Sequence, residues 1–491
     1  MNFKKLVFRS LVHYRRMHRW IVLGTMLSTS IIVGAFIIGD SVRFSLRQIV
    51  LDRLGRTEFA MTSDDRFFRT ELADDLSEAL HTYVAPLLQT RGIAVADGGA
   101  RRVNRIQVLG VDRRFGQFGG NQEIYGSLLP DEAVINSHLA VRLSVKAGDE
   151  ILLRVEKLDA MPKDAPLALD TDSSLARRFK VKSVVSDAEF GRFNLRADQI
   201  APLTAFVSLS FLSQEMDFLN RANVLLVAER EDNPLDMPSI SEAFKRMWTL
   251  EDAGLEVRKI MGREITELKS NRIFLDSSAA EAALTLFPEA EPVLTYFVNE
   301  IRLGKSAAPY SFVSAPGDPQ ILSELEEEDI IINDWLAADI SASIGDRVQM
   351  TYFVLGQSRE LNEMTSTFRV KAIVPIQGIY SDKDLLPDYP GLAGEDNCRD
   401  WNPGIPIDLD KIRDKDEVYW DDYGGTPKAF VSLDAAQKMW TNRFGNVTAV
   451  RFPGLGEDIV ENKLKEAIDP ASLGFNFRGV KEEGLRASSQ S

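Results

Sequence analysis

A stretch of twenty residues without a charged side chain places the strongest constraint on this chain. It reads "WIVLGTMLSTSIIVGAFIIG" and covers residues 20–39. As an α-helix, rising about 1.5 Å per residue, it is long enough to span the hydrocarbon layer of a bilayer, about 30 Å thick. Residues 1–19 carry six Lys or Arg and no Asp or Glu. The positive-inside rule then predicts a cytoplasmic basic segment at 1–19 and a transmembrane helix at 20–39. The bulk of the chain would lie outside a cytoplasmic (inner) membrane, in the periplasm.

A cleaved signal peptide is the alternative interpretation of this segment. The apolar region of a signal peptide usually has about 7–15 residues and ends in a small-residue cleavage site. Here the uncharged run is longer, and "FIIGD" at its end is a poor cleavage site. These features favour an uncleaved anchor.

Small residues form a stripe along the same segment, at four- and seven-residue spacings: Gly24, Ser28, Ala35 and Gly39. Small side chains let membrane helices approach each other closely. We therefore predict a helix-packing face. Its partners would be other membrane helices or a second copy, because we find no second stretch of sufficient length in this sequence.

Beyond residue 39 the pattern becomes amphipathic. Apolar residues recur at helical spacing, namely Val42, Leu46, Ile49, Val50 and Leu54. The membrane helix is therefore predicted to continue outward, with residues 40–91 forming a stalk helix and the start of the periplasmic domain.

Two segments of the outside part are near-copies: "INSHLAVRLSVKAGDEI", from Ile135, and "INDWLAADISASIGDRV", from Ile332. Further pairs follow the same order, among them "RFKVKSVV" with "TFRVKAIV", "AFVSL" with a second "AFVSL", and "GLEVRKI" with "GFNFRGV". Similarity of this kind indicates an internal repeat. We predict one copy of a module at 92–287 and a second at 288–491.

Each copy is predicted to be an α+β module of short strands and a few helices. In the repeated unit a strand leads into a helix capped by Asn136 or Asn333. A turn then enters the next strand, formed by Gly148 and Asp149 in one copy and by Gly345 and Asp346 in the other. Because every shared position has a structural role, the repeat is interpreted as scaffold. The fold class is therefore α+β, with one N-terminal transmembrane helix and stalk before two copies of a mixed strand/helix module.

The second copy carries a long insertion at 377–427 that is rich in Pro, Gly and Asp. Loops of this length are usually functional or mobile. Its aromatic residues have two equal interpretations, a surface for a partner or a means of holding the insertion on its own module: Trp401, Tyr419, Trp420 and Tyr423.

Composition and motifs exclude several classes of function. The formal net charge of −15 argues against nucleic acid as the main partner, and a single cysteine, Cys398, permits no intrachain disulfide. His138 is aligned with Trp335 of the other copy, so this position of the repeat accepts a residue that does not titrate. The acidic clusters at 382–388 and 408–416 lack the spacing of a calcium loop. We predict no catalytic residue, no cofactor and no metal site. A hydrolase that uses paired carboxylates remains an alternative, because so many acidic residues always offer a pair.

Taken together, the basic N-terminus, the single membrane helix, the stalk and the strand–"LA..L"–"GD"–strand unit resemble the permease subunits of FtsX/MacB-type ABC transporters. The resemblance extends over essentially the whole chain and is most specific at 20–60, 130–155 and 328–375. It implies MacB-like periplasmic modules and a separate ABC ATPase subunit on the cytoplasmic face. It also implies a non-enzymatic role, in which ATP hydrolysis moves the periplasmic domain to extrude or release a lipophilic or peptide/lipoprotein substrate.

Two departures from the family pattern accompany this resemblance. Family members often have Gly at the end of the repeated helix, where this chain has Ser144 and Ser341. Such permeases also continue into three further membrane helices, which this sequence does not contain. We therefore expect it to be the first part of a permease, with the small-residue stripe facing those helices. The alternatives are a single-pass anchored binding or sensor protein, and an anchored hydrolase.

Overall fold

The computed structural model describes residues 3–490, apart from 64, 121, 160, 162–173, 197, 199, 231–233, 319–320, 322–324, 357–359 and 394. The prediction of fold class is confirmed: the chain is a mixed α+β protein with one N-terminal helix fit to cross a membrane and two sheet modules. The boundaries 92–287 and 288–491 remain predictions.

Fourteen α-helices are formed by the described residues. They are α1 (Phe3–His13), α2 (Arg15–Leu54), α3 (Leu72–Leu80), α4 (Arg113–Gly119), α5 (Gln122–Gly126), α6 (Ser137–Leu143), α7 (Leu209–Glu215), α8 (Met237–Met247), α9 (Ser277–Leu286), α10 (Asp334–Ile340), α11 (Asp414–Tyr423), α12 (Leu433–Trp440), α13 (Glu457–Ala467) and α14 (Val480–Gln490).

Twenty β-strands are formed by the same residues. They are β1 (Thr57–Thr62), β2 (Phe68–Arg69), β3 (Val84–Ala96), β4 (Arg101–Val111), β5 (Glu132–Asn136), β6 (Glu150–Glu156), β7 (Ser174–Val185), β8 (Thr204–Ser208), β9 (Arg221–Ala222), β10 (Val224–Ala228), β11 (Leu255–Lys259), β12 (Ile265–Ser270), β13 (Glu291–Leu303), β14 (Ser306–Pro316), β15 (Asp329–Asn333), β16 (Arg347–Leu355), β17 (Leu361–Val374), β18 (Ala429–Val431), β19 (Ala449–Pro453) and β20 (Phe477–Arg478).

Helix α2 has 40 residues and contains both the predicted membrane segment and the predicted stalk. Within the described ranges it alone is long and apolar enough to cross a membrane. A helix of that length is about 60 Å long. Its outer end reaches the first sheet, because Gly55 ends the helix with a positive φ of 53° and β1 begins two residues later.

The two large sheets have nine strands each. The first has the order β20-β1-β10-β3-β4-β8-β5-β7-β6 and the second the order β11-β12-β19-β13-β14-β18-β15-β17-β16. Additional pairings join β3 to β6 and β13 to β16, so six strands of each sheet close into a barrel. We call these the first barrel (β3 to β8 except the connecting helices) and the second barrel (β13 to β18). The remaining three strands of each sheet extend from the barrel through its long first strand.

The end strands of the two sheets are exchanged along the chain. Strand β11 follows the strands of the first sheet in sequence but pairs with β12 in the second sheet. Strand β20, near the C-terminus, pairs with β1 in the first sheet. Each sheet therefore ends in a strand that follows the strands of the other sheet along the chain.

A central core lies between the two extensions and takes apolar residues from both. Phe59, Leu225 and Trp248 belong to it together with Leu268 and Val450, and all five are buried. Each barrel has a separate core of its own. The modules thus form one structure with a shared centre and a barrel on each side.

Candidate functional site

The outer end of the stalk packs on the first sheet. Val50 and Leu54 are buried against a face that includes Ala60 and Leu226. Arg53 lies beside them, 3% exposed, and its guanidinium donates a hydrogen bond to the carbonyl oxygen of Arg196. A large apolar side chain that is fully buried stabilises such a contact by about 1.5–3 kcal/mol. Helix α2 is therefore joined firmly to the first sheet.

Helix α14 packs against the stalk and runs antiparallel to it. Lys481 forms ion pairs with Glu58 and Glu229, just beyond the end of the stalk, whereas Gly484 lies further back against Val50. A Cβ atom at Gly484 would be 2.8 Å from Val50 Cγ1, so only glycine permits this approach. The direction of α14 leads back along α2, toward its membrane segment.

The matching face of the second sheet carries charges instead. Arg451 donates to Glu267 at 2.9 Å and to Asp382 of the insertion at 2.6 Å, and all three are at least 95% buried. Arg258 also donates to Glu267 at 2.8 Å, and Arg263 to Asp382 at 2.8 Å. Burial acts to lower the pKa of Arg451, but the two carboxylates outweigh it and raise that pKa above its ordinary value. Arg451 therefore stays charged.

Strand register shows that these two faces correspond. Ala60 pairs with Leu226 on the first sheet, and Glu267 pairs with Arg451 at the matching position of the second. Where the stalk covers the sheet the pair is apolar, and where the insertion covers it the pair is ionic.

The repeated turns have the same geometry in both modules. Gly148 and Gly345 have φ values of 93° and 94°, which favour glycine. Their amides donate to the carbonyl oxygens of Val181 and Val370, at 2.7 and 2.8 Å. A carboxylate closes each turn, because Asp149 accepts from the amide of Lys146 and Asp346 from that of Ser343. These contacts are all local, which fits the interpretation of the turns as scaffold.

The small residues of the membrane segment lie on the surface of α2. Open space surrounds Gly24 and Gly39, where an added Cβ would have no neighbour within 4 Å, and Ser28 and Ala35 are exposed. Their role in packing against other membrane helices stays a prediction.

The aromatic residues of the insertion turn toward their own module. Trp401 and Tyr419 are buried, and Trp420 and Tyr423 are half-buried. Trp401 meets Trp420 edge to face at a centroid distance of 5.1 Å, and Tyr419 lies 4.9 Å from Trp335. These contacts favour the second interpretation, in which the aromatics hold the insertion in place.

One buried lysine was not recognised in the sequence. The ammonium group of Lys428 lies 3.6 Å from Asp416 and over the rings of Trp335 and Tyr419, at 4.4 and 4.9 Å from their centroids. Burial lowers the pKa of Lys428 to about 8, although Asp416 acts in the opposite direction. The adjoining cavity of about 20 Å³ has room for about one water molecule. Lysine is rarely buried, so no pattern in the sequence distinguishes this one.

The other candidate groups have structural partners. Burial raises the pKa of Cys398 to about 12, which disfavours a reactive thiolate. His138 lies 3.0 Å from Asp187, and Asp416 accepts hydrogen bonds from Arg413. No three His, Cys, Asp or Glu residues in the described part of the chain are grouped to hold a metal ion.

Comparison with known proteins gives similarity to parts of solved structures. No protein-family model matches the chain, and no curated protein matches it. It is similar to the periplasmic region of MacB from Actinobacillus actinomycetemcomitans, at 12% identity and a TM-score of 0.27, covering 40% of this chain and 85% of that one. It is also similar to the extracellular domain of the noncanonic ABC-type transporter YknZ from Gram-positive bacteria, at 11% identity and a TM-score of 0.26, covering 39% and 91%.

Proposed function

We propose that this chain is the membrane-anchored, permease-like subunit of an ABC transporter of the FtsX/MacB type. The observation that carries the proposal is helix α2, which is unbroken from the apolar segment to the foot buried on the first sheet. A continuous helix transmits displacement along its axis, so movement at the membrane reaches the periplasmic modules. The matching strand orders of the two sheets support an origin by duplication of one module.

The partner in this proposal is an ABC ATPase on the cytoplasmic face of the inner membrane. The six basic residues of segment 1–19 support an inside location for the N-terminus. The stripe of Gly24, Ser28, Ala35 and Gly39 on the surface of α2 would pack against the remaining permease helices or a second permease copy within the lipid bilayer. Chemistry belongs to the ATPase, and this chain moves a lipophilic or peptide/lipoprotein substrate.

The proposal is tested on the full chain purified from membranes after crosslinking. We expect vanadate-sensitive ATP hydrolysis in the purified material. Hydrogen exchange at the stalk foot, Val50 to Leu54, should change when ATP is added. Ser45→Pro breaks the exposed part of the stalk and should abolish that change, because proline removes a helical hydrogen bond and clashes with the preceding turn.

Ser45→Ala is the matched control, since alanine preserves the helix. If no ATPase accompanies the chain, the anchored binding or sensor protein becomes the better description. An ATP-dependent change that persists in Ser45→Pro would overturn coupling through the stalk.

A further inference from the structure

The two barrels differ most at one matched pair of strands. In the second barrel Phe297 pairs with Phe312 across β13 and β14, and in the first barrel Arg91 pairs with Gln107 across β3 and β4. The neighbouring position on the same face is Tyr310 in the second barrel. The first barrel has Arg105 there.

In the second barrel this surface is occupied by a segment of polypeptide, the insertion. Trp401 lies 6.0 Å from Phe297 and 6.4 Å from Phe312 between ring centroids. The hydroxyl of Tyr310 accepts a hydrogen bond from the amide of Asp408, at 2.6 Å. Main-chain and aromatic contacts together hold the inserted chain on the barrel.

In the first barrel the corresponding surface is an open groove of about 910 Å³. Arg91, Arg105 and Gln107 line it, and Arg196 joins them from the connection between β7 and β8. None of these three arginine side chains has an ion-pair partner among the described residues, and Asp198 is the one acidic residue that lines the groove there. The groove therefore presents unpaired cations on a surface whose counterpart binds polypeptide.

The backbone holds Arg105 in an unusual conformation. Its φ is 57°, and the matched Tyr310 of the second barrel also has a positive φ, 42°. A bulge that shifts the register of β3 and β4 lies beside Arg105. Bulges of this kind redirect a side chain and are frequent next to functional sites. Arg105, beside this bulge, is exposed and lines the groove.

We propose that this groove binds an extended, acidic segment of a partner protein. Guanidinium groups pair with carboxylates through two parallel hydrogen bonds, and the half-buried amides of Gln89 and Gln107 are suited to a peptide backbone. The segment would take the place that the insertion takes on the second barrel, with carboxylates in place of the aromatic rings. This binding does not require the ATPase, so its test gives the same answer whether or not the chain is a permease subunit.

The test uses the full chain in nanodiscs and a phage-displayed library of random twelve-residue peptides. We expect the selected peptides to be enriched in Asp and Glu over the unselected library. Measured by fluorescence anisotropy, a selected peptide should bind the double variant Arg91→Ser/Arg105→Ser at least ten-fold more weakly than the unchanged chain. Binding should also weaken as salt is raised, because exposed charges are screened.

Arg142→Ser is the control, since Arg142 is an exposed arginine of the same module that does not line the groove. It should bind the peptide as the unchanged chain does, and all variants should melt at the same temperature. Selected peptides without an excess of acidic residues would overturn the proposal, as would equal binding to the double variant. Full displacement of the peptide by 10 mM inorganic phosphate would show a site for a lone anion and would also overturn it.

Discussion

The same sheet face occurs in both sheets, but it is apolar in the first sheet and ionic in the second. On the first sheet it carries Ala60 and Leu226 and is covered by the stalk. On the second it carries Glu267 and Arg451 and is covered by the insertion through Asp382. The scaffold is common to both modules, so the chemistry of each face follows from what packs on it. An apolar face suits a helix that must dock firmly, whereas a buried ion network depends on having all its partners present.

Placing a residue of one face at the matching position of the other tests most directly whether each face depends on what packs on it. Leu226→Arg places a cation beneath the stalk, at a fully buried position in an apolar cluster. We expect a loss of about 5 kcal/mol in the free energy of unfolding, together with release of the stalk foot. Urea unfolding measures the first effect, and hydrogen exchange at Val50 and Leu54 measures the second. Protection that stays unchanged would mean that the face does not hold the stalk.

The reciprocal change, Arg451→Leu, should cost less. Glu267 keeps Arg258 and Asp382 keeps Arg263, so neither carboxylate loses all its partners. We expect a loss of about 3–4 kcal/mol by urea unfolding. Arg302→Leu breaks a half-exposed pair with Glu300 at the surface and serves as the control, with a change below about 1 kcal/mol. Equal losses for the two variants would show that burial of the network contributes little.

The buried lysine under the insertion makes the stability of the second module depend on pH. Because the pKa of Lys428 is about 8 in the folded chain and 10.5 in the unfolded chain, the unfolded chain binds more protons between these values. Stability therefore rises as pH rises from about 8 to about 10.5, and the gain is lost as pH falls again. We expect it to approach about 3 kcal/mol, as about 1.4 kcal/mol for each unit of pKa difference. The free energy of unfolding of Lys428→Met should change less with pH over this range than that of the unchanged chain. An equal change in both proteins would contradict the lowered pKa of Lys428.

The smallest effect concerns a feature that the two modules share. Ser144 and Ser341 end the repeated helices with φ values of 51° and 57°, in the left-handed region. Glycine has no Cβ atom to clash there. Ser144→Gly and Ser341→Gly should therefore each raise the free energy of unfolding by about 0.5–1 kcal/mol, which thermal melting would detect as a higher melting temperature. Ser→Ala at the same positions retains a Cβ atom and should give no gain. A gain in one module alone would show that the two caps are not equivalent.

Much of the architecture follows from local patterns in the sequence. The long helix is predicted by the charge-free run at 20–39 and the amphipathic spacing after it. The two mixed modules are predicted by the repeated segments. Each of these patterns can be recognised within a short stretch of sequence. The exchange of β11 and β20 could not be predicted in this way. Their sequences, "GLEVRKI" and "GFNFRGV", indicate matching strands but contain no information about which sheet each one joins.

The candidate sites were harder to predict, since they depend on burial. Nothing in the sequence distinguishes Arg451 and Lys428 from surface cations. In the fold, carboxylates enclose Arg451, and aromatic rings lie against Lys428. Trp401 and Tyr419 gave two equal interpretations until their packing was known. The groove at Arg91 and Arg105 becomes visible only when the barrels are compared, because the strand register is what relates these residues to Phe297 and Tyr310.

The exchange of end strands also decides how the two sheet modules respond to mechanical load. Strand β1 continues directly from the stalk and lies between β10 and β20, so it is not at a sheet edge. A pull on the stalk acts along β1, across hydrogen bonds perpendicular to it on both sides, and must shear both ladders at once. Because β20 comes from the second module, part of that load passes to the second module as soon as it is applied.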